Sequence, residues 1–473
     1  LVDKESFEAG NTALTEALEI YRTLAKNYPK VYAPDVASIL DRLGNLNRRL
    51  QAFATADQYF QEAIALKRKL VKQDGKIYLP DLALSLNNSA ILYAEQYQFN
   101  RATTHYREVI EIFRSLASED GAVYLPKLSA ALSNLGYEQI RIHAFESAER
   151  NYLEALKINQ QLSEEAPIVY GPQQANIYLM LSILKGIQND FSKADAYGQE
   201  AINILDPLYD LNPSNFDLYM GLFAQNKAKL LMQDQQWEGA EILYKGALPI
   251  FEQYAELSME AFGVSLGIAY AELGRYFLEV GQLDESHTQF QHALETFDEL
   301  AGTTLIKELK GDLYRDWGRL FREEGQWDQA TRQFQQAADY LEPLVKKYPF
   351  LNPHMAMIYR ERGILELETA SVKVANKYLR MALEQFNELA DQYPEVYLPE
   401  LAITELVWAR YYALIEPDEE RSMDFLRSGM ARLIPFRYKN YYLTELEKAN
   451  PILQHWGISP KKYLREQFPG YDR

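Results

Sequence analysis

The feature that most constrains this chain is a short motif that returns at a fixed interval. The segment KIYLPDLA, residues 76–83, holds Tyr78 and Pro80 separated by one residue. The same Tyr-x-Pro arrangement begins at Tyr32, Tyr78, Tyr124, Tyr170 and Tyr397, and the first four tyrosines are 46 residues apart. A chain of 473 residues exceeds the usual size of one compact core, so this period predicts an extended repeat array.

The composition predicts that the repeats are helical. The 23 glycines, the 19 prolines and the lack of alternating runs rich in Val, Ile and Thr argue against strands. Apolar residues make up 47% of the chain and charged residues 25%, which is typical of globular proteins that build a core. The expected fold class is therefore all-α.

We interpret the Tyr-x-Pro motif as a joint between two helices. Proline in the first turn of a helix leaves no additional donor unpaired, so the five prolines are predicted helix starts. These are Pro34, Pro80, Pro126, Pro172 and Pro399. A proline or glycine three residues before each tyrosine is predicted to end the preceding helix. Each tyrosine ring is expected to fill the gap between consecutive helix pairs.

A second pattern runs through every repeat. A small residue is followed by another small residue 12 positions later, by a bulky residue 4 after that, and by a small one 3 further on. The clearest copies are Gly44, Ala56, Phe60 and Ala63, then Gly136, Ala148, Tyr152 and Ala155, then Gly318, Ala330, Phe334 and Ala337. Small residues at these points let two antiparallel helices approach closely. A ninth copy at Ala409 carries Arg421 where a small residue belongs, so we expect it to be distorted.

With the pairs Leu43-Gly44, Leu135-Gly136 and Leu273-Gly274, this pattern resembles the tetratricopeptide repeat superfamily over roughly residues 10–430. The resemblance implies an α-solenoid of antiparallel helix pairs in a right-handed superhelix. The 46-residue period exceeds the family's 34 and is similar to the long repeats of kinesin light chains and many bacterial arrays. We expect the extra residues to lengthen chiefly the second helix of each pair. The spacing shortens after Gly274, so the connections near 302–308 and 345–352 should differ from the others.

The repeat register divides the chain into three parts. Residues 1–33 match the second helix of an incomplete repeat, residues 34–430 hold about nine repeats of 44–46 residues, and residues 431–473 are predicted to form a C-terminal helical cap. Half a repeat cannot bury its own apolar face. We therefore expect other domains of a longer parent chain, or another segment, at the N-terminal end.

No residue pattern indicates catalysis. The chain has no cysteine, its six histidines are scattered, and the usual metalloprotease, P-loop, hydrolase and dinucleotide motifs are missing. We therefore expect a protein that is not an enzyme and that has no cofactor and no metal site. A net charge of −18 disfavours nucleic acid, and no apolar run is long enough to span a membrane. A cytoplasmic location is expected.

The resemblance implies that the first helix of each repeat lines a binding groove. Asparagines recur on or beside these lining positions at Asn87, Asn88, Asn134 and Asn226. Asparagine is a poor residue in the middle of a helix, so its recurrence needs a reason. In similar repeats such amides hold the backbone of an extended peptide, but bonding to a neighbouring helix explains them equally well.

The later repeats carry arginines on the same lining positions. They are Arg275, Arg315, Arg319, Arg322, Arg360 and Arg410. One interpretation is intramolecular pairing with nearby acids, for example Arg319 with Glu323 at i,i+4. The other is that guanidinium groups grip the carboxylates or phosphates of a partner. The second interpretation predicts an acidic or phosphorylated protein or peptide ligand.

Two functions follow from these observations. The first is a scaffold that binds a peptide or protein segment in the groove. The alternative is the sensor or regulatory arm of a larger bacterial signalling protein, since similar arrays are joined to ATPase, protease or kinase modules.

Overall fold

The computed structural model describes residues 4–436 and 440–468, which are almost entirely helical and contain no strand. The helices are α1 (Lys4–Asn27), α2 (Pro29–Arg49), α3 (Phe53–Asp74), α4 (Leu79–Glu95), α5 (Phe99–Ala117), α6 (Gly121–Arg141), α7 (Phe145–Glu165), α8 (Pro167–Ile187), α9 (Phe191–Leu211), α10 (Pro213–Gln233), α11 (Trp237–Leu257), α12 (Met259–Glu279), α13 (Leu283–Glu299), α14 (Thr304–Glu323), α15 (Trp327–Lys347), α16 (Asn352–Glu368), α17 (Val372–Gln392), α18 (Pro394–Leu414), α19 (Glu419–Leu433), α20 (Asn440–Glu447), α21 (Ala449–His455) and α22 (Pro460–Gln467). The predicted all-α solenoid of helix pairs is confirmed.

From α2 to α19 the helices follow one another as hairpins, each made of a first and a second helix. The chain divides into two compact units, Leu1–Leu181 and Ser182–Arg473, and the division falls within α8. In a typical repeat the two helices are equally long, as α6 and α7 are with 21 residues each. The expectation that chiefly the second helix would be lengthened was wrong, because the additional turns are shared between both helices.

The predicted helix starts lie too late in the sequence. Pro34, Pro126, Pro172 and Pro399 stand inside α2, α6, α8 and α18, whereas Pro80 alone of the five lies in a first turn, that of α4. In α2 the chain is already helical from Pro29, because the carbonyl of Tyr28 accepts the N–H groups of Val31 and Tyr32. A proline in the second turn then removes a single hydrogen bond of the helix. Packing of the tyrosine ring at the joint offsets that loss.

The tyrosine of the motif does pack between consecutive helices. Tyr32 on α2 lies edge to face with Tyr21 on α1, with the ring centroids 6.0 Å apart. Tyr124 on α6 stacks on Phe113 of α5 at 6.4 Å. These rings fill the apolar gap at the joint, as the sequence predicted.

The residues of the small-to-bulky pattern form the packing surface between the two helices of each hairpin. A Cβ atom added to Gly44 would lie 2.6 Å from the ring of Phe60, and one added to Gly318 would lie 2.6 Å from the ring of Phe334. Real Cβ atoms essentially never come this close, so a larger residue at either glycine would force the facing ring to shift. The predicted register is therefore observed in these hairpins.

The ninth hairpin differs from the sequence alignment by one residue. Arg421 is exposed, and the buried small residue is Ser422, whose Oγ donates to the carbonyl of Ala409 at 2.9 Å. The bulky position is correspondingly Leu426, which is fully buried. A connection that is one residue longer thus moves the arginine out of the interface.

One of the two connections flanking the shorter repeats departs from the rest. Leu300 to Thr303 form a non-helical link before α14, and Thr303 caps that helix by accepting from the N–H of Ile306. A short 3-10 turn, Pro349–Leu351, precedes α16, but a similar turn, Gly75–Tyr78, precedes α4 in a repeat of ordinary length. The shortened period therefore predicted the difference near 302–308, whereas the connection near 345–352 resembles that of a regular repeat.

Successive first helices contact one another within each unit. In the first unit α2 touches α4, and in the second unit α12, α14, α16 and α18 touch in turn. Polar side chains on these helices can therefore bond from one repeat to the next. We call the surface that they form the first-helix face.

Candidate binding face

All ten residues predicted to bind a partner lie on first helices. Asn87 and Asn88 lie on α4, Asn134 on α6, Asn226 on α10, Arg275 on α12, Arg315, Arg319 and Arg322 on α14, Arg360 on α16 and Arg410 on α18. The first helices thus carry amides in the first unit and mainly arginines in the second. The two groups have different surroundings.

The arginines of α12 and α14 share a buried carboxylate. Nη2 of Arg275 lies 2.7 Å from Oδ2 of Asp316, and Nη2 of Arg315 lies 3.0 Å from the other oxygen of the same carboxylate. Arg315 also pairs with Asp312 at 2.7 Å. Asp316 is almost completely buried, so these guanidinium groups supply the charge that it needs.

The remaining arginines of α14 and α16 also pair with acids of neighbouring repeats. Arg319 bonds Glu279 of α12 at 2.7 Å, rather than Glu323 as the i,i+4 interpretation suggested. Arg322 bonds Glu361 of α16 at 2.5 Å, and it also lies 3.0 Å from Glu323. The ion pairs therefore run mainly between repeats and form a ladder across the first-helix face.

The ladder ends at α18. Arg360 of α16 pairs with Glu400 of α18 at 2.6 Å. Arg410 is exposed and makes no hydrogen bond or ion pair with any residue that the structure describes. Of the six arginines it is the one without a hydrogen bond or ion pair in the described part of the chain, although its charge lowers the pKa of the nearby Glu368 against the effect of burial.

The ladder changes the protonation of its acids. Burial by itself opposes ionisation, but the charges of Arg322, Arg319 and Arg360 lower the pKa of Glu361 to about 2. Burial likewise opposes ionisation of Asp316, and Arg275 and Arg315 hold its pKa below the ordinary value. Both carboxylates are therefore charged at neutral pH, and the arginines are largely compensated.

A histidine extends the network to α16. Nδ1 of His354 lies 2.9 Å from Asp312, and its other ring nitrogen lies 3.7 Å from Glu308. Burial favours the neutral ring, but the two carboxylates outweigh that effect and raise the pKa of His354. No group of side chains suited to a metal ion occurs in the described part of the chain.

The amides of the two units differ in their bonding. Nδ2 of Asn226 donates to Oγ of Ser182 on the neighbouring first helix at 3.0 Å, so this amide joins two helices. Asn87, Asn88 and Asn134 are half-buried, and none of them has a hydrogen-bond partner among residues 4–436 and 440–468. The donors and acceptors of these three amides, which lie on first helices of the first unit, therefore have no protein partner in the described part of the chain.

Sequence reasoning missed one buried acid on this face. Glu138 of α6 is 5% exposed, and its Oε2 has no hydrogen-bond partner in the described part of the chain. Burial raises the pKa of Glu138 to about 7, although Arg141 opposes that rise. The equivalent position of the other eight repeats is Leu46, Leu92, Leu184, Leu230, Tyr276, Leu320, Leu365 and Tyr411. Aligning the repeats at this position would have revealed the single acid.

None of the described helices combines the length and apolar character needed to cross a bilayer. Two solved structures are similar to 62% of this chain. BtubC (BKLC) from P. vanneervenii is 19% identical, with 91% of its chain covered and a TM-score of 0.33. The apo form of RapI is 17% identical, with 94% of its chain covered and a TM-score of 0.44. No curated protein has a similar sequence at a significant level.

The family model described as the tetratricopeptide repeat matches residues 36–75 and 82–121. These two segments begin within α2 and α4, and each continues through the second helix of its hairpin. The later hairpins repeat the same contact between a small residue and a bulky one. Residues 36–75 and 82–121 are therefore similar to tetratricopeptide repeats, and the described part of the chain is an all-α array of helix pairs of that kind.

Proposed function

We propose that this protein binds an extended peptide or protein segment on the first-helix face of its first unit. The observation that carries the proposal is the contrast among amides on equivalent helices. Asn226 is satisfied by Ser182, whereas Asn88 and Asn134 have no partner in the described part of the chain. No amide atom of Asn88 or Asn134 is fully shielded from solvent, so a ligand can replace the water that these half-buried amides bond.

The spacing of the amides supports a peptide backbone as the missing partner. Asn88 and Asn134 are one 46-residue period apart, so they occupy equivalent positions on α4 and α6. A side-chain amide offers two donors and one acceptor oxygen, which is the complement of a peptide group. Two such amides on successive helices can hold successive peptide groups of one extended segment.

Selection from a random-peptide display library against the whole chain tests this proposal. We expect the Asn88→Ala/Asn134→Ala variant to bind the selected peptides about tenfold more weakly, since each lost hydrogen bond contributes roughly 0.5–1.5 kcal/mol. Gln161→Ala, an exposed amide on the second helix α7, is the matched control and should bind normally. Equal affinities for the two variants would contradict the proposal.

A second candidate is an acidic or phosphorylated segment on the arginines of the second unit. It is supported by the exposure of Arg410 and by the Arg319 side chain, about a quarter of whose surface is exposed (26%). The ion-pair ladder argues for a weaker site, because a ligand would compete with carboxylates already in place. In this second candidate function, a paired arginine exchanges its protein carboxylate for an acidic group of the ligand when the ligand binds.

Salt titration with the Arg319→Gln/Arg410→Gln variant distinguishes the second candidate. If an acidic ligand binds there, the variant loses affinity and also loses part of the salt dependence. The control is Arg427→Gln, which also removes a positive charge from an arginine but lies on α19, a second helix. An unchanged affinity would contradict this candidate and leave Arg319 with its ion pair in the ladder as its role. The sensor-arm hypothesis and the cytoplasmic location stay predictions.

A further inference from the structure

One edge of the first unit carries a regular row of exposed β-branched side chains. Val31, Ile77, Val123 and Val169 each precede a tyrosine of the Tyr-x-Pro motif, so they recur every 46 residues. Their exposed fractions are 62%, 76%, 46% and 65%. Single exposed apolar residues are common, but four at equivalent positions of four successive repeats form a strip that suits a protein contact. We call these four residues the apolar strip.

The fifth copy of the motif, which lies in the second unit, is covered. Val396 precedes Tyr397 and is only partly exposed, and Tyr397 itself is buried. The turn between α8 and α9 lies against this copy. Nδ2 of Asn189 in that turn donates to the carbonyls of Glu395 at 2.8 Å and Val396 at 3.4 Å. A hairpin turn from another repeat therefore occupies the position that is open in the strip.

The same kind of contact occurs once more in the second unit. The turn between α10 and α11 meets the start of α20, where Nε2 of Gln235 donates to Oγ1 of Thr444 at 2.8 Å and Nδ2 of Asn440 donates to the carbonyl of Asp234 at 2.8 Å. In chain order, α18 begins the fifth hairpin after that of α8, and α20 follows the fourth hairpin after that of α10, so it takes the place of the first helix of a fifth. Within this unit, hairpin turns thus contact helix starts at a constant separation of five hairpins.

Other hairpin turns of the second unit are exposed and apolar. Trp327 follows the turn between α14 and α15, and Val372 and Val374 follow the turn between α16 and α17. Each of these side chains keeps about two fifths of its surface exposed. The chain therefore presents both halves of the contact, helix starts in its first unit and hairpin turns in its second.

We propose that the apolar strip of one molecule binds the exposed hairpin turns of a second copy of this chain. The contact between the Asn189 turn and the Glu395–Val396 segment shows that this sequence motif and a turn of the same repeat family fit together. The strip and the turns are different surfaces, so the association is heterologous and adds copies head to tail. It goes beyond peptide binding, because it uses the edge of the repeats and leaves the first-helix face open.

Sedimentation of the full chain over a range of concentrations tests this association. Wild type should grow from single chains to dimers and longer species as the concentration rises. The strip variant Ile77→Asp/Val123→Asp and the turn variant Trp327→Asp/Val372→Asp should each stay monomeric, with association at least tenfold weaker. Ile242→Asp, which changes an exposed residue of α11 outside both surfaces, should associate like wild type.

Mixing the variants gives the sharpest result. The strip variant keeps its turns and the turn variant keeps its strip, so an equimolar mixture should form one-to-one dimers that do not grow further. Thermal melts check that each variant is folded, and Ile77→Ser/Val123→Ser replaces the strip variant if aspartate disturbs the fold. A wild type that stays monomeric at its highest soluble concentration, folded variants that still self-associate, or a mixture that forms no dimer would each overturn the proposal.

Discussion

Asp316 and Arg275 form a buried ion pair that joins α14 to the preceding first helix. The charged atoms are 2.7 Å apart, and Asp316 also accepts from Arg315 on its own helix. Because repeats contact mainly their neighbours, an ion pair of this kind stabilises the interface between two adjacent repeats. The pair therefore couples the two hairpins that surround the shortened connection.

Removing that carboxylate should destabilise the second unit strongly. In Asp316→Ala the buried guanidinium of Arg315 keeps Asp312 but loses one partner, and Arg275 loses its ion pair. Breaking a buried pair by removing one partner costs about 3–5 kcal/mol. Urea unfolding measures the change. Asp298→Ala removes an exposed acid that pairs with Lys310, and this control should cost less than about 1 kcal/mol. Similar losses in both variants would show that the ladder does not stabilise the repeats.

The buried Glu138 should make the first unit less stable as the pH rises. Burial raises its pKa to about 7 in the folded chain, whereas the ordinary value is 4.5. Between these values the folded state holds a proton that the unfolded state has released, so the free energy of unfolding falls as pH increases through this interval. The full effect is roughly 3 kcal/mol, since one pKa unit corresponds to about 1.4 kcal/mol.

Two variants isolate the contribution of Glu138. Glu138→Gln should remove the fall between pH 4.5 and 8, and Glu138→Leu, which restores the residue found in most repeats, should be more stable than wild type at pH 8. Urea melts at several pH values measure both effects. An unchanged pH dependence in Glu138→Gln would show that other groups cause it.

The small residues of the hairpin interface should not tolerate larger side chains. Ala148 and Ala330 are fully buried between the helices of their hairpins. Ala148→Leu or Ala330→Leu should overpack the interface and cost about 1–3 kcal/mol. Gln326→Leu, an exposed position before α15, should cost little. Urea midpoints that fall together for all three variants would contradict the packing register.

The turn that contains Asn189 should stabilise the second unit against unfolding. Its amide donates to the carbonyl of Glu395 at 2.8 Å, and its oxygen accepts from the hydroxyl of Tyr442 at 2.6 Å. Asn189→Ala removes these bonds and also places alanine at a positive φ of 58°, so we expect a loss of about 2–4 kcal/mol.

The matched control for Asn189 is Gln51→Ala, which has the same φ of 58° in an exposed turn of the first unit. It should show the backbone effect alone. Thermal melts of both variants separate the two contributions. A loss for Asn189→Ala no larger than that for Gln51→Ala would mean that the contact with Glu395 contributes nothing.

The sequence by itself determined the repeat and its packing register. Gly44 and Phe60 are 16 residues apart and meet within one hairpin, so the contact imposes a local spacing that recurs and can be counted. The location of the candidate residues on first helices followed from the same register. The helix starts were predicted less reliably. Pro34 is tolerated in the second turn of α2, because the carbonyl of Tyr28 already bonds the first turn and the rings of Tyr28 and Tyr32 pack against each other.

The tertiary structure decided which groups bond to each other. Arg319 has acids on its own helix within reach, yet its partner is Glu279, 40 residues earlier. That choice depends on how two successive first helices face one another, which the local sequence does not encode. Asn189 and Glu395 are 206 residues apart, and their contact depends on the angle added by each repeat in between. Small rotations summed over several hairpins bring these residues together, and no motif in either segment records that sum.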